Sequence, residues 1–162
     1  MSTSSSIGAS VGGHDRSVAT DAAAATARLL RQRLGGEVWL RVDGDSMRPT
    51  IVPPAEVRVV ARDRPRVGEV WAFVGDGGRI VIHRCVRRPD DGYLFQGDGR
   101  AAADPIARRE RLIGRAVAVR DERGERGLGG RDRLLGTARH LVRQGRRTVR
   151  QAARWAVSLM SR

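Results

Sequence analysis

The stretch "GEVWAFVGDGGRIVIHRCV", residues 68–86, holds two runs of β-branched and aromatic residues on either side of a Gly-rich break. Such runs are typical of short strands, and the residues from Gly75 to Gly78 favour a turn between them. Outward from this pair, the sequence shows further short runs of the same kind, again bounded by Pro or Gly. We therefore expect a mainly β protein with a compact, mostly antiparallel domain. The predicted strands are "EVWLRV", "EVRVVA", "GEVWAFV", "RIVIHRCV", "YLFQ" and "LIGRAVAV".

The segments outside the strands differ from them in composition. The Ala-rich segment "TDAAAATARLLRQRLGG" predicts a helix that begins at Thr20 or Asp21 and ends at Gly35 and Gly36. Residues 1–19 are rich in Ser and Gly and predict a disordered leader. We expect the helix and the strands to form one domain, residues 20–120. A charged, Gly-rich linker, residues 121–130, then leads to a helical tail, residues 131–162.

The tail combines an apolar stripe with a high positive charge. It contains nine Arg and one acid, so it supplies +8 of the formal net charge of +13. Such a basic amphipathic helix can lie on an anionic membrane surface, bind nucleic acid, or pack on its own domain or a partner. Nucleic acid is the weaker expectation because the tail has few aromatic residues. The stripe consists of Leu135, Ala138, Val142, Val149, Ala152, Ala156 and Leu159.

Composition also excludes some chemistry. All 31 basic residues are Arg, which keeps its proton, so neither a Ser-Lys couple nor a Lys Schiff base can operate. The single cysteine, Cys85, cannot form an intramolecular disulfide and fits a reducing compartment. No apolar run approaches the ~20 residues that span a bilayer, and residues 1–20 lack the features of a signal peptide. We expect a cytoplasmic protein, either free or held peripherally at a membrane, with no metal or other cofactor.

The segment "DGDSMRPTI", residues 43–51, contains a serine, Ser46, that could act as a nucleophile. A serine hydroxyl needs a neighbouring base to take its proton, and without Lys the candidates are the three histidines and the carboxylates. Of the three histidines, His14 lies in the leader and His140 in the tail, whereas His83 lies in a predicted strand that would hold it rigidly. Elimination therefore indicates His83 as the base. Taken alone, a turn hydroxyl for Ser46 and a half-buried structural histidine for His83 are the simpler interpretations.

Five segments, taken in order, resemble the signal peptidase I and LexA-type serine protease superfamily over roughly residues 38–119. The resemblance implies Ser46 as nucleophile and, by similarity to the branch that uses histidine, His83 as base. It further implies Asp104 as the residue that orients the imidazole, with Asp98 as second choice. The segments are "GDSMRPTI", "VGEVWAFV", "IVIHRCV", "YLFQGDGRAAADP" and "RLIGRAVAV".

Two residues beside the nucleophile complete the implied site. Met47 and Gly44 are expected to contribute to substrate binding. Gly44 stands where the family often has a serine that helps to hold the oxyanion, so the backbone N–H of Ser46 would do more of that work. Cys85, two positions from His83 on a strand, faces the same way as the histidine. We interpret it as a small packing residue rather than a second nucleophile.

The function that the resemblance implies is serine endopeptidase activity on a polypeptide such as a leader or precursor, with small residues next to the cut. Two alternatives stay open. One is a LexA-like protein that cleaves itself, although the Ala-Gly dipeptide that such repressors commonly cut does not occur in this sequence. The other is an inactive binding module of the same fold, recruited to membrane or nucleic acid by its basic tail.

Overall fold

The strand pair quoted above forms a hairpin inside an antiparallel sheet of seven strands. The computed structural model describes residues 12–33, 35–130, 132, 134–138 and 140–142. The elements are helix α1 (Gly12–Arg33), strands β1 (Glu37–Val42), β2 (Ala55–Val60), β3 (Val70–Val74), β4 (Ile80–Arg87) and β5 (Leu94–Gln96), a 3₁₀ turn (Arg109–Arg111), and strands β6 (Leu112–Asp121) and β7 (Gly124–Gly127). The expectation of a mainly β, antiparallel protein is confirmed.

The long strand β6 lies in the middle of the sheet. The strand order is β1-β2-β6-β3-β4-β5, and β7 also pairs with β6. Strand β3 pairs with the first part of β6, from Leu112 to Arg115, and β7 pairs with its last part, from Ala118 to Asp121. The two strands thus lie one after the other along the same side of β6, and β2 lies along the opposite side.

Both faces of the sheet bury apolar side chains, because successive residues of a strand point to opposite faces. One face carries Val70, Ala72 and Val74 of β3 and packs against Ala23 and Ala27 of α1. The other face holds the aromatic cluster Trp71, Phe73, Cys85, Phe95 and Leu112. This arrangement explains why β3 is buried along its whole length and reads as a continuous apolar run.

Two sequence-based boundaries differ from the structure. Helix α1 begins at Gly12, ahead of the expected start at Thr20 or Asp21, because extending an existing helix costs much less than nucleating one. The predicted linker is wrong for Gly124–Gly127, which form β7. That strand closes a tight hairpin with β6, and Gly124 takes the positive φ of 97° that the turn requires. The expectation of a disordered leader over residues 1–19 is also wrong for residues 12–19, which belong to α1, and residues 1–11 lie outside the described residues.

The beginning of the predicted C-terminal helix is described, and it is helical at residues 130, 132, 134–138 and 140–142. In the described part of this helix the buried position is Gly136, while Leu135, Ala138 and Val142 of the apolar stripe are exposed. The rest of the stripe, from Val149 onward, lies outside the described residues. Within the described part of the chain, no helix is long and apolar enough to cross a membrane.

Candidate active site

Ser46 lies in a tight turn that follows β1. The turn is closed by two backbone hydrogen bonds, from Arg48 N–H to the carbonyl of Asp45 (3.0 Å) and from Ile51 N–H to the carbonyl of Met47 (3.0 Å). Met47 and Ile51 are 1% and 0% exposed and belong to the core. Met47 and Ile51 therefore anchor the turn in the core, while Ser46 itself is half-buried.

His83 is the side chain that meets Ser46. It lies in β4, is 7% exposed, and its Nε2 is 2.9 Å from Ser46 Oγ. Its Nδ1 is 2.6 Å from Asp104 Oδ2. A carboxylate can only accept, so Nδ1–H donates to Asp104 and leaves Nε2 to accept the proton of the Ser46 hydroxyl. The Phe73 ring and the imidazole lie in an edge-to-face arrangement, with ring centroids 6.4 Å apart and planes inclined by 60°.

Asp104 reaches His83 from the loop that follows β5. Its backbone N–H donates a hydrogen bond of 2.8 Å to the carbonyl of Phe95, which ties this loop to the strand next to β4. Its side chain is 26% exposed. The three side chains Ser46, His83 and Asp104 therefore form a continuous hydrogen-bonded line, although they come from three separate parts of the chain.

The turn from Gly97 to Gly99, directly after β5, packs against the serine. The backbone N–H of Gly99 donates to the carbonyl of Ser46 at 2.7 Å. A Cβ at Gly97 would lie 2.5 Å from that carbonyl oxygen and 3.0 Å from His83 Nε2. Only glycine can therefore occupy position 97 without displacing the serine or the histidine.

Asp98, in the middle of this turn, does not contact His83. Its carboxylate instead binds Arg84, with Nε to Oδ1 at 2.8 Å and Nη2 to Oδ2 at 2.6 Å, and it accepts a hydrogen bond from Thr50. The second-choice role of orienting the imidazole is therefore corrected. The reason is physical: Arg84 is buried beside His83 on β4, and a buried guanidinium requires a carboxylate partner.

The pair of Arg84 and Asp98 is almost fully enclosed, with side chains 1% and 7% exposed. Burial lowers the pKa of Arg84, but the hydrogen bonds and charges of Asp98 and Asp132 outweigh that effect and raise it above its ordinary value. Removing one partner of such a pair leaves an uncompensated buried charge, at a cost of about 3–5 kcal/mol. The pair therefore anchors the Gly97–Gly99 turn to β4.

Of the two residues expected to bind substrate, one is buried and the other is exposed. The side chain of Met47 is 1% exposed and packs in the core, so its expected contact with substrate is corrected to a packing role. The methionine side chain is apolar and flexible, so it packs in the core even when its backbone lies in a turn. Gly44 is exposed, and a Cβ there would meet nothing within 4 Å. Open space therefore lies beside Gly44, two residues before the serine.

Cys85 is fully buried in the aromatic cluster, as a packing residue should be. Burial raises the pKa of its thiol to about 11, which keeps it protonated and unreactive near neutral pH. Among the described residues, no group of three or more His, Cys, Asp or Glu side chains is placed to hold a metal ion.

Arg84 and Thr50 were not predicted from the sequence as residues of the site. Arg84 was detectable, because an arginine in the middle of the apolar run "IVIHRCV" has to be paired if the strand is buried. Thr50 gave no such signal. Its hydroxyl lies between Asp98 and Arg84, and its carbonyl accepts a 2.6 Å hydrogen bond from Arg126 of β7, contacts that depend on folding of distant segments.

No protein-family model matches this chain, and no match was found among the curated proteins. A function therefore has to be inferred from the geometry around Ser46 and from the sequence motifs.

Proposed function

We propose that this protein is a serine endopeptidase in which Ser46 is the nucleophile, His83 the general base and Asp104 the orienting acid. The observation that carries the proposal is the line of two hydrogen bonds, 2.9 Å from His83 Nε2 to Ser46 Oγ and 2.6 Å from His83 Nδ1 to Asp104 Oδ2. A nucleophile within reach of a base that is itself oriented by a third group is the arrangement required for acyl transfer.

The reaction follows from the position of each proton. His83 Nε2 takes the proton of Ser46 as Oγ attacks the carbonyl carbon of the scissile peptide bond. The backbone N–H of Ser46 stabilises the oxyanion that forms. His83 then returns the proton to the leaving amine, and a water molecule, deprotonated by His83, hydrolyses the acyl-enzyme. Asp104 holds the Nδ1–H tautomer and stabilises the imidazolium in both steps.

The substrate class is inferred from two features. The space beside Gly44 gives an extended polypeptide room to approach Ser46. The resemblance of the sequence to the signal peptidase and LexA-type superfamily adds an expectation of small residues next to the cut. We therefore propose a leader or precursor polypeptide as the substrate, processed by the peptidase fold of that superfamily.

A mixed peptide library analysed by mass spectrometry tests the proposal. Wild-type protein should cut a subset of peptides next to small residues, and both Ser46→Ala and His83→Ala should abolish these cuts. Asp104→Asn should keep the fold but lower kcat by roughly 10³–10⁴-fold, because the asparagine amide no longer enforces the required tautomer.

Thr26→Ala is the matched control, because it removes an exposed hydroxyl that donates to the carbonyl of Ala22 in the same helix α1. It should leave the cuts unchanged. Cuts that persist in Ser46→Ala would refute the proposed nucleophile. Wild-type protein that neither cuts the library nor forms a covalent adduct with a fluorophosphonate would refute the proposed activity.

A further inference from the structure

Arg84 is hydrogen-bonded on all sides by groups from different parts of the chain. Besides Asp98, its guanidinium donates to the carbonyl of Gly68 at 2.7 Å and to Thr50 Oγ1 at 3.3 Å. Its Nη1 also lies 3.3 Å from Oδ2 of Asp132, which belongs to the C-terminal helix. The buried guanidinium of Arg84 thus links the Gly97–Gly99 turn, which packs against Ser46, to the C-terminal helix.

The C-terminal helix approaches Arg84 closely because of a glycine. A Cβ at Gly136 would lie 2.1 Å from Arg84 Cζ and 2.3 Å from Nε, so the helix backbone packs directly on the guanidinium. Asp132 and Gly136 are four residues apart, which places them on the same face of a helix. That face therefore provides both a carboxylate and a close backbone contact for the same side chain.

The position of Arg84 bears directly on the site. Its strongest partner, Asp98, lies between Gly97, which packs against His83 Nε2, and Gly99, whose N–H holds the carbonyl of Ser46. A displaced guanidinium would move Asp98, and the turn could not then keep both contacts. Buried, close-packed groups transmit such displacements because no free volume absorbs them.

We propose that Asp132 and Gly136 are positioning residues of the active site, which act through Arg84 to hold the Gly97–Gly99 turn against Ser46 and His83. The described part of the C-terminal helix, residues 132, 134–138 and 140–142, is accordingly part of the catalytic unit and not an independent appendage. The catalytic consequence rests on the proposed peptidase function, whereas the structural coupling can be measured without it.

The experiment compares the full-length variants Gly136→Ala, Asp132→Asn and Asp132→Glu with the wild type. We measure kcat and KM on a cleaved peptide, the rate of Ser46 labelling by a fluorophosphonate, and the amide NMR shifts of Ser46, Gly97 and Gly99. Gly136→Ala should lower kcat and the labelling rate by roughly 10–100-fold, the loss expected for a misplaced reactive group. KM should change little, because substrate contacts stay in place. Asp132→Asn should show a smaller loss that Asp132→Glu partly restores.

Two controls match these changes. Gly130→Ala adds a methyl where a Cβ meets nothing within 4 Å, and Asp63→Asn removes the carboxylate of an exposed ion pair with Arg109. Both should behave as wild type, with unshifted amides at Ser46, Gly97 and Gly99.

The outcomes separate the two proposals. If Gly136→Ala and Asp132→Asn fold, react as the wild type and shift amides only within the helix, the positioning role is wrong. If Gly136→Ala does not fold, Asp132→Asn decides alone by the same readouts. If the wild type neither cleaves nor labels, the peptidase function fails, and shifts at Ser46, Gly97 and Gly99 in the variants still establish the coupling.

Discussion

The backbone at Gly97 lies close to both Ser46 and His83. It directly follows β5 and packs against the turn that holds Ser46, where no space is left for a side chain. The hydrogen bond between Ser46 Oγ and His83 Nε2 depends on this close approach. The absence of a side chain at position 97 is therefore as much a requirement of the site as the reactive groups themselves.

We predict that Gly97→Ala folds but loses reactivity. The added methyl would lie 2.5 Å from the carbonyl oxygen of Ser46 and 3.0 Å from His83 Nε2, so the serine and the histidine have to move apart. A displacement of about 1 Å at a reacting group costs on the order of 10²-fold in rate. The rate of fluorophosphonate labelling of Ser46 measures the loss directly. Gly129→Ala, where a Cβ has open space, is the control, and equal labelling of both variants would contradict the prediction.

At the scale of single residues, the sequence predicts which side chains could act as nucleophile, base or orienting acid, but it does not show which of them are in contact. The absence of Lys leaves the three histidines and the carboxylates as candidate bases. His83 is the only histidine in a predicted strand, so elimination indicates it as the base but does not place it beside Ser46. The choice between Asp104 and Asp98 required the family resemblance. The role of Gly97 was hidden, because it arises only when the turn after β5 folds onto the turn after β1.

Strand β4 is the element that organises the site. It presents His83, Arg84 and Cys85 in consecutive positions, so the histidine and the cysteine face the aromatic cluster while the arginine faces the other side of the sheet. A single strand thus holds the proposed base, the cation that anchors the Gly97–Gly99 turn, and a core residue. Its rigidity comes from pairing on both edges, with β3 and with β5.

The buried thiol of β4 leads to a prediction about alkaline stability. Burial raises the pKa of Cys85 from 9.0 to about 11, so the unfolded chain ionises this thiol first. Below the unfolded pKa, ionisation of this thiol therefore takes nothing from the free energy of unfolding. As the pH rises towards the folded pKa, the free energy of unfolding falls, by roughly 1–2 kcal/mol between pH 8 and pH 10. Urea unfolding at these two pH values measures the decline.

Cys85→Ala is the comparison for that measurement. It should be less stable than the wild type at pH 8 because it leaves a cavity, yet its stability should fall less between pH 8 and pH 10. Native protein should also resist iodoacetamide at pH 8 and react only after unfolding. A folded protein that is alkylated as fast as the unfolded chain would contradict the assigned burial.

Elements could be predicted wherever burial leaves a pattern in the sequence. Strands β1 to β6 each carry apolar residues at buried or half-buried positions, and the sequence located all six to within about two residues. Strand β7, with the sequence "GERG", is exposed along its length, so it has no apolar alternation and the sequence predicts a linker there. Its register against Ala118–Asp121 is determined by the hairpin turn and not by burial.

The molecule as a whole joins a sheet with two buried faces to a C-terminal helix that docks through polar and small residues. Because Asp132 and Gly136 face Arg84, the apolar side chains of the same helix point outward, and Leu134, Leu135, Leu141 and Val142 are 57–72% exposed. The chain continues with residues 143–162, a segment that contains six further Arg and no acid. The sequence predicted this amphipathic character, but it could not show which face meets the domain.

Truncation at two positions should separate the contributions of these segments. Removing residues 143–162 keeps Asp132, Gly136 and every described contact of Arg84, so we predict cleavage and Ser46 labelling within about twofold of the wild type, a change of less than ~0.5 kcal/mol in activation free energy. The same truncation removes six positive charges and should weaken binding to anionic lipid vesicles, because each Arg near such a surface contributes about 1 kcal/mol.

Removing residues 131–162 should also impair the chemistry, since Arg84 then loses Asp132 and the covering backbone of Gly136. Labelling should fall by roughly 10–100-fold relative to the shorter truncation, with the sheet still folded by circular dichroism. Vesicle co-sedimentation and fluorophosphonate labelling of both truncations provide the measurement. Equal labelling of the two would show that the helix only carries the basic segment. Loss of labelling in the shorter truncation would instead assign residues 143–162 a part in the site.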